Sequence, residues 1–178
     1  MSRKVLLAYA SRRGSTREVV EEIAASLRAA GTDAVVLPAS EVQDVSLYDA
    51  VLLGTAIRFD RPLPEAVRFV DRFRLELSKI PTALLVLCLT MIDDTPESRE
   101  IVSGWVKPLV DLLEPKTVGL FAGAAERERL GLILSLLLGV ILVVKGFKLG
   151  DYRNWEKINK WTDELVEVLE LEKPASNI

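Results

Sequence analysis

The chain contains no histidine. That absence removes Ser-His-Asp and Cys-His nucleophile systems and every histidine-ligated metal site at once. Cysteine is nearly missing too: Cys88 alone among 178 residues excludes an internal disulfide and a thiolate cage. Because it lies in the apolar run Ala83-Leu84-Leu85-Val86-Leu87-Cys88-Leu89, it reads as a buried small hydrophobe rather than a reactive thiol. No excess of basic residues is present either. With 23 Lys and Arg against 26 Asp and Glu, the net charge is −3, which excludes a nucleic-acid binder that works through concentrated cations. No metal site is expected, and with so few polar catalytic groups any redox chemistry has to be carried by a bound cofactor.

A composition of 49% hydrophobic and 28% charged residues is that of a globular protein with a sizeable core. One domain is expected over 1–172, with an inserted apolar helical segment at 125–150 and a polar tail at 173–178. Met1-Ser2-Arg3-Lys4 runs straight into an apolar stretch with no small-residue cleavage site, which predicts a cytoplasmic protein.

Short β-branched or leucine-rich runs alternate with amphipathic segments, the signature of βαβ units and a parallel sheet. Strands are predicted near 3–10, 33–38, 49–55, 82–90 and 116–123, and helices near 15–30, 62–77, 96–113 and 153–171. In the first helix Val19, Ile23 and Leu27 recur at four-residue spacing, with Val20 and Ala24 beside them, while Arg17, Glu21, Glu22 and Arg28 face outward.

The first strand feeds Tyr9-Ala10-Ser11-Arg12-Arg13-Gly14-Ser15-Thr16-Arg17 into that helix. First-turn N–H groups lack intrahelical acceptors and the helix dipole adds partial positive charge, so an anion held there satisfies both. Ser11, Ser15 and Thr16 add hydroxyl donors, and Gly14 lets the backbone approach a ligand. An ordinary turn capped by Ser or Thr has the same local pattern. The loop is neither a Walker A motif nor G-x-G-x-x-G. It resembles the phosphate loop of flavodoxins, a Ser/Thr-x-x-Gly-x-Thr pattern after the first strand that holds the 5′-phosphate of FMN. The resemblance implies an α/β, flavodoxin-like three-layer sandwich: a five-stranded parallel sheet of order 2-1-3-4-5, with an extra apolar helix after strand five. Ligands of such sheets sit beyond the carboxyl ends of the strands, where Ser11–Thr16, Thr55–Arg61 and Leu89–Thr95 should meet.

The loop expected after strand three, Gly54-Thr55-Ala56-Ile57-Arg58-Phe59-Asp60, places an aliphatic and an aromatic side chain where a flat ring would be covered. Burial of Ile57 and Phe59 in the core is the competing reading, and Arg58 fits a core poorly. With Phe121-Ala122-Gly123-Ala124 and Asp151-Tyr152-Arg153-Asn154-Trp155, these residues resemble one branch of the flavodoxin superfamily, the menaquinone-dependent protoporphyrinogen dehydrogenases, over most of 4–170. The resemblance implies that Ser11, Arg12, Arg13, Gly14, Ser15 and Thr16 surround the FMN phosphate. It also implies that Thr55, Ala56, Ile57, Arg58 and Phe59 flank one side of the isoalloxazine, and that Leu89, Thr90 and Met91 approach the other. Arg58 matches the family's arginine at the open face of the flavin and is the candidate catalytic residue. The implied activity passes electrons from a planar donor to a quinone or other acceptor. Two departures mark this chain: Glu126-Arg127-Glu128-Arg129 and an aliphatic run follow strand five where the family is rich in aromatic and basic residues, and Asp93 and Asp94 make the loop after strand four acidic. An electron-carrier flavodoxin acting on protein partners is the alternative, which a net charge of only −3 fits poorly. A flavodoxin-like binding module that has lost FMN fits an intact hydroxyl loop least.

Leu130–Val144 carries no charge. As a helix it would rise about 22 Å, short of the roughly 30 Å hydrocarbon core. Its apolar surface needs a cover, either protein, within the domain or in a homo-oligomer, or the inner face of the cell membrane through shallow docking flanked by Arg127, Arg129, Lys145 and Lys148.

Overall fold

The computed structural model describes residues 3–124 and 150–171. The uncharged run Leu130–Val144, with its expected helix and its protein or membrane cover, lies outside the described residues, as does the tail at 173–178.

Along the chain run β1 (Lys4–Ala10), α1 (Ser15–Ala29), β2 (Asp33–Pro38), β3 (Ala50–Arg58), β4 (Arg61–Pro62), α2 (Pro64–Leu77), β5 (Thr82–Leu87), α3 (Pro96–Leu113), β6 (Thr117–Phe121) and α4 (Trp155–Val168). Five strands form a parallel sheet of order β2-β1-β3-β5-β6, which is the expected 2-1-3-4-5 order. The sixth, the two-residue β4, folds back antiparallel on the end of β3. The expected five-stranded parallel sheet is thus present, and β4 is an addition to it, because the segment read as a loop after residue 55 keeps extended backbone to Arg58 and turns as a hairpin.

Central strands buried on both faces read as continuous apolar runs, and here alternate side chains serve two cores. Leu6, Ala8, Val51, Leu53, Leu84 and Val86 meet Phe69, Val70 and Phe73 of α2 and Val102, Val106 and Leu109 of α3. Val5, Leu7, Leu52, Leu85 and Leu87 meet Val19, Ile23 and Leu27 of α1 and Ile158, Trp161 and Leu165 of α4. The result is the three-layer sandwich. Cys88 is buried as read, and burial pushes its thiol pKa up, so the thiolate is disfavoured.

Two local devices set the carboxyl edge of the sheet. At Gly54 a Cβ would lie 2.7 Å from Val20 Cγ2 and 3.4 Å from Thr16 Cγ2, so glycine lets β3 pass close beneath the start of α1. β5 stops at Leu87, short of the predicted residue 90, because Cys88 turns the chain into a 3-10 turn over Leu89–Ile92. There the Thr90 N–H donates to Cys88 Sγ at 3.4 Å and the Met91 N–H to the Cys88 carbonyl at 3.1 Å. Beyond β6, Ala124 and Asp151 form an antiparallel bridge, and the Tyr152 N–H donates to the Gly123 carbonyl at 3.3 Å.

Candidate functional site

Parallel register sets the site. Ala10 pairs with Thr55, Ala56 with Leu87 and Leu87 with Phe121, so the chain leaves β1, β3, β5 and β6 at one level of the sheet's carboxyl edge. That is where the order of connection switches direction and where such sheets bind ligands.

After β1 the loop turns on itself. The Gly14 N–H donates to Ser11 Oγ at 3.0 Å, a bond that leaves the Ser11 hydroxyl its own proton to donate. Gly14 caps α1 in the left-handed region at φ 89°, a conformation that costs an L side chain free energy. The first backbone bond of the helix runs from the Glu18 N–H to the Gly14 carbonyl at 2.9 Å. Among the described residues no side chain caps this end of the helix, where the N–H groups of Ser15, Thr16 and Arg17 lie. Thr16 is fully buried and its Oγ1 has no hydrogen-bond partner among the described residues. An unmet buried hydroxyl costs about 1–3 kcal/mol, a cost that an acceptor oxygen placed beside it would offset. Three N–H groups, the Ser11 and Thr16 hydroxyls and the helix dipole form a donor set suited to a phosphate dianion. Arg12 leans away to the Glu65 carboxylate at 2.9 Å, while Arg13 is half-buried.

The β3–β4 hairpin forms the second wall. The Thr55 hydroxyl is turned inward: it donates to the Ala56 carbonyl at 3.1 Å and accepts from the Leu63 N–H at 3.3 Å, fastening the hairpin's base. Ala56 and Ile57 are half-buried against the core. Phe59 and Asp60 make the tip with φ of 50° and 59°, two successive left-handed residues as a two-residue hairpin turn demands. Phe59 is 82% exposed, and the Arg58 guanidinium lies 5.1 Å from its ring centroid. Arg58 and Arg61 are cross-strand partners, both exposed.

The 3-10 turn after β5 forms the third wall. Leu89 and Thr90 are half-exposed along it, whereas the Met91 side chain is buried in the core. Its acidic continuation is neutralised: Asp94 accepts from Arg99 at 2.6 Å and from Lys157 at 2.5 Å, bonds that hold its carboxyl below its ordinary pKa. Glu65 escaped the sequence reading because nothing local marks it as the partner of Arg12. Arg153 escaped as well, although it sits in the Asp151–Trp155 stretch that carried part of the resemblance. Among the described residues no cluster of acidic, Cys or His side chains is arranged to hold a metal, and no helix is long and apolar enough to cross a membrane.

A doubly wound sheet of this order, with a phosphate-type cradle at its switch point, defines a flavodoxin-like fold. The chain belongs to the flavodoxin-domain family, whose model matches residues 6–146, and FMN is its cofactor. It is similar to a protoporphyrinogen IX dehydrogenase (quinone) of Leishmania major, 24% identical over 182 residues, covering 92% of this chain and 74% of that protein. A protein of the same name from Escherichia coli K12 is 22% identical over 172 residues, covering 91% and 94%. Among solved structures, a variant of a Pseudomonas aeruginosa flavodoxin superposes with a TM-score of 0.57 at 16% identity over 94% of this chain and 99% of the other. Oxidised flavodoxin 1 of Bacillus cereus does so with 0.56 at 17% identity over 92% and 97%.

Proposed function

We propose that this flavodoxin-family oxidoreductase acts as a protoporphyrinogen dehydrogenase-like enzyme, taking electrons from a planar donor that bears carboxylates and delivering them to a quinone. The observation that carries the reading is the cationic hairpin. Arg58 and Arg61 are cross-strand partners beside the exposed Phe59. A carrier built for basic protein partners wants the opposite sign around its flavin. The names of the curated relatives support the same choice.

Bound FMN supplies the electron-transfer chemistry. The chain's own residues do the binding and orienting. Ser11, Gly14, Ser15 and Thr16 hold the phosphate, and the Phe59 ring offers a flat apolar face. Arg58, whose guanidinium lies 5.1 Å from that ring's centroid, is set to pair with a donor carboxylate in a planar, bidentate manner.

The test is anaerobic: FMN-loaded protein is mixed with protoporphyrinogen IX, then with a water-soluble menaquinone analogue, and porphyrin fluorescence is followed. Porphyrin formation that turns over with quinone is expected. Failure to oxidise the donor, together with rapid reduction of electron-transfer proteins, would establish the carrier instead.

A further inference from the structure

Glu18 presents a difficulty at the phosphate end of the site. It occupies the first turn of α1, within one helical turn of the N–H groups of Ser15 and Thr16, so its negative charge belongs to the end of the helix where the phosphate is placed. A carboxylate there opposes a dianion bound to the same N–H groups.

Arg153 meets that carboxylate from a distant part of the chain. Its Nη1 donates to Glu18 Oε2 at 2.7 Å. Its Nε and Nη2 donate to the two oxygens of Asp151 at 2.8 and 2.5 Å, and its backbone N–H to Asp151 Oδ1 at 3.0 Å. The guanidinium lies 5.0 Å from the Trp155 ring centroid at the start of α4. Only 6% of the side chain is exposed, against 40% for Glu18. A guanidinium this buried is rare unless it is paired, and its planar fork is spent on two carboxylates at fixed angles. The Ala124–Asp151 bridge anchors Asp151 itself to the edge of the sheet.

We infer that Arg153 is a positioning residue for the phosphate end of the flavin site: by pairing with Glu18 it neutralises and draws aside a carboxylate that would otherwise repel the cofactor phosphate, and so sets the preference for FMN over riboflavin. The inference rests on the phosphate lying at Ser11–Thr16. Isoalloxazine binding is untouched by the mechanism, since riboflavin carries the same ring and no phosphate. The expected effect on the phosphate-dependent part of affinity is about tenfold, the scale of a charge interaction across one helical turn in a partly solvated site.

Flavin fluorescence quenching gives Kd for FMN and for riboflavin in wild type, Arg153→Gln, Glu18→Gln and the double variant. Arg153→Gln is expected to lower the ratio Kd(riboflavin)/Kd(FMN) about tenfold with riboflavin affinity nearly unchanged, and the loss should shrink in high salt. Glu18→Gln, which leaves the guanidinium in place, is expected to raise the ratio, and the double variant to return it near wild type. Should Arg153→Gln fail to fold, Glu18→Gln alone decides, since an unchanged ratio overturns the inference. Equal weakening of both flavins in Arg153→Gln makes Arg153 merely structural and also overturns it. A wild-type ratio near one rejects the phosphate assignment itself and takes this inference with it, an outcome distinct from a normal wild-type ratio that the variants do not move.

Discussion

Thr16 concentrates the chemistry of the site in one side chain. Its methyl packs beside Gly54, 3.4 Å from where a Cβ would stand, and its hydroxyl is buried without a hydrogen-bond partner among the described residues. A stability-driven sequence would place valine there, with the same shape and no stranded hydroxyl. Thr16→Val with Ser15→Ala is therefore expected to leave the melting temperature of the apoprotein unchanged or slightly higher. FMN affinity should fall at least about tenfold, the loss when hydrogen bonds to a charged acceptor worth about 1.5–3 kcal/mol each are removed. Calorimetric titration and thermal melts of the same samples check both halves. Arg58 makes a different prediction because its guanidinium is exposed and lies over Phe59. Arg58→Lys should keep the FMN content and the melting temperature, and lower kcat/KM for the donor about tenfold through loss of planar pairing. Loss of flavin would make Arg58 a cofactor ligand.

At the scale of elements, the sheet and both helical layers were legible because alternate residues along β1, β3 and β5 face two different cores, so every residue of a buried strand has to be apolar. The strand-to-helix turn at Ser11–Thr16, where we place the phosphate, was legible for a related reason: Ser11 and Gly14 are spaced by what one turn requires. The hairpin was not. Phe59 and Asp60 take left-handed conformations without a glycine, so nothing in the local composition announced that β3 continues to Arg58 and returns at Arg61. The pairings Arg12–Glu65, Asp94–Lys157 and Arg153–Glu18 were equally hidden, since each joins residues distant in sequence and forms only once the layers have closed.

One of those pairings carries a pH signature. Asp94 ties the turn after β5 to both α3 and α4, and the bonds from Arg99 and then Lys157 lower its pKa from the ordinary 3.8. A depressed carboxyl stabilises the fold fully above its ordinary pKa, and the contribution disappears as pH falls through the lowered value. Arg99 and Lys157 are half exposed, so screening keeps the effect near about 1 kcal/mol. Asp94→Asn should cost about that much at pH 7 in urea denaturation, and the difference from wild type should vanish near pH 2. A constant difference across that range would assign the loss to packing rather than charge.

At the scale of the whole molecule, charge is sorted rather than merely balanced. A chain with net charge −3 sets Arg58 and Arg61 side by side around Asp60 on one side of the site and lets Arg12 and Arg68 share Glu65, while Asp94 on the other side is paired with Arg99 and Lys157. Encounter with an anionic donor is then favoured by the local field even though the protein as a whole is acidic.

The bridge between Ala124 and Asp151 gives the molecule a modular seam. The two ends of the excursion that follows β6 are already side by side, so closing them demands no rearrangement of the sheet. Shortening a loop between fixed neighbours lowers its closure entropy, by about 0.6 kcal/mol for each halving of length. Replacing 126–149 with a short glycine-containing turn is accordingly expected to yield a domain that unfolds cooperatively and still binds FMN, measured by circular dichroism and flavin titration. An insoluble or molten product would show that folding itself depends on the excised residues. With a folded product, any activity lost on excision could be restored or not by supplying donor and quinone in detergent, so the same chain would serve as its own control for what the excursion adds to turnover.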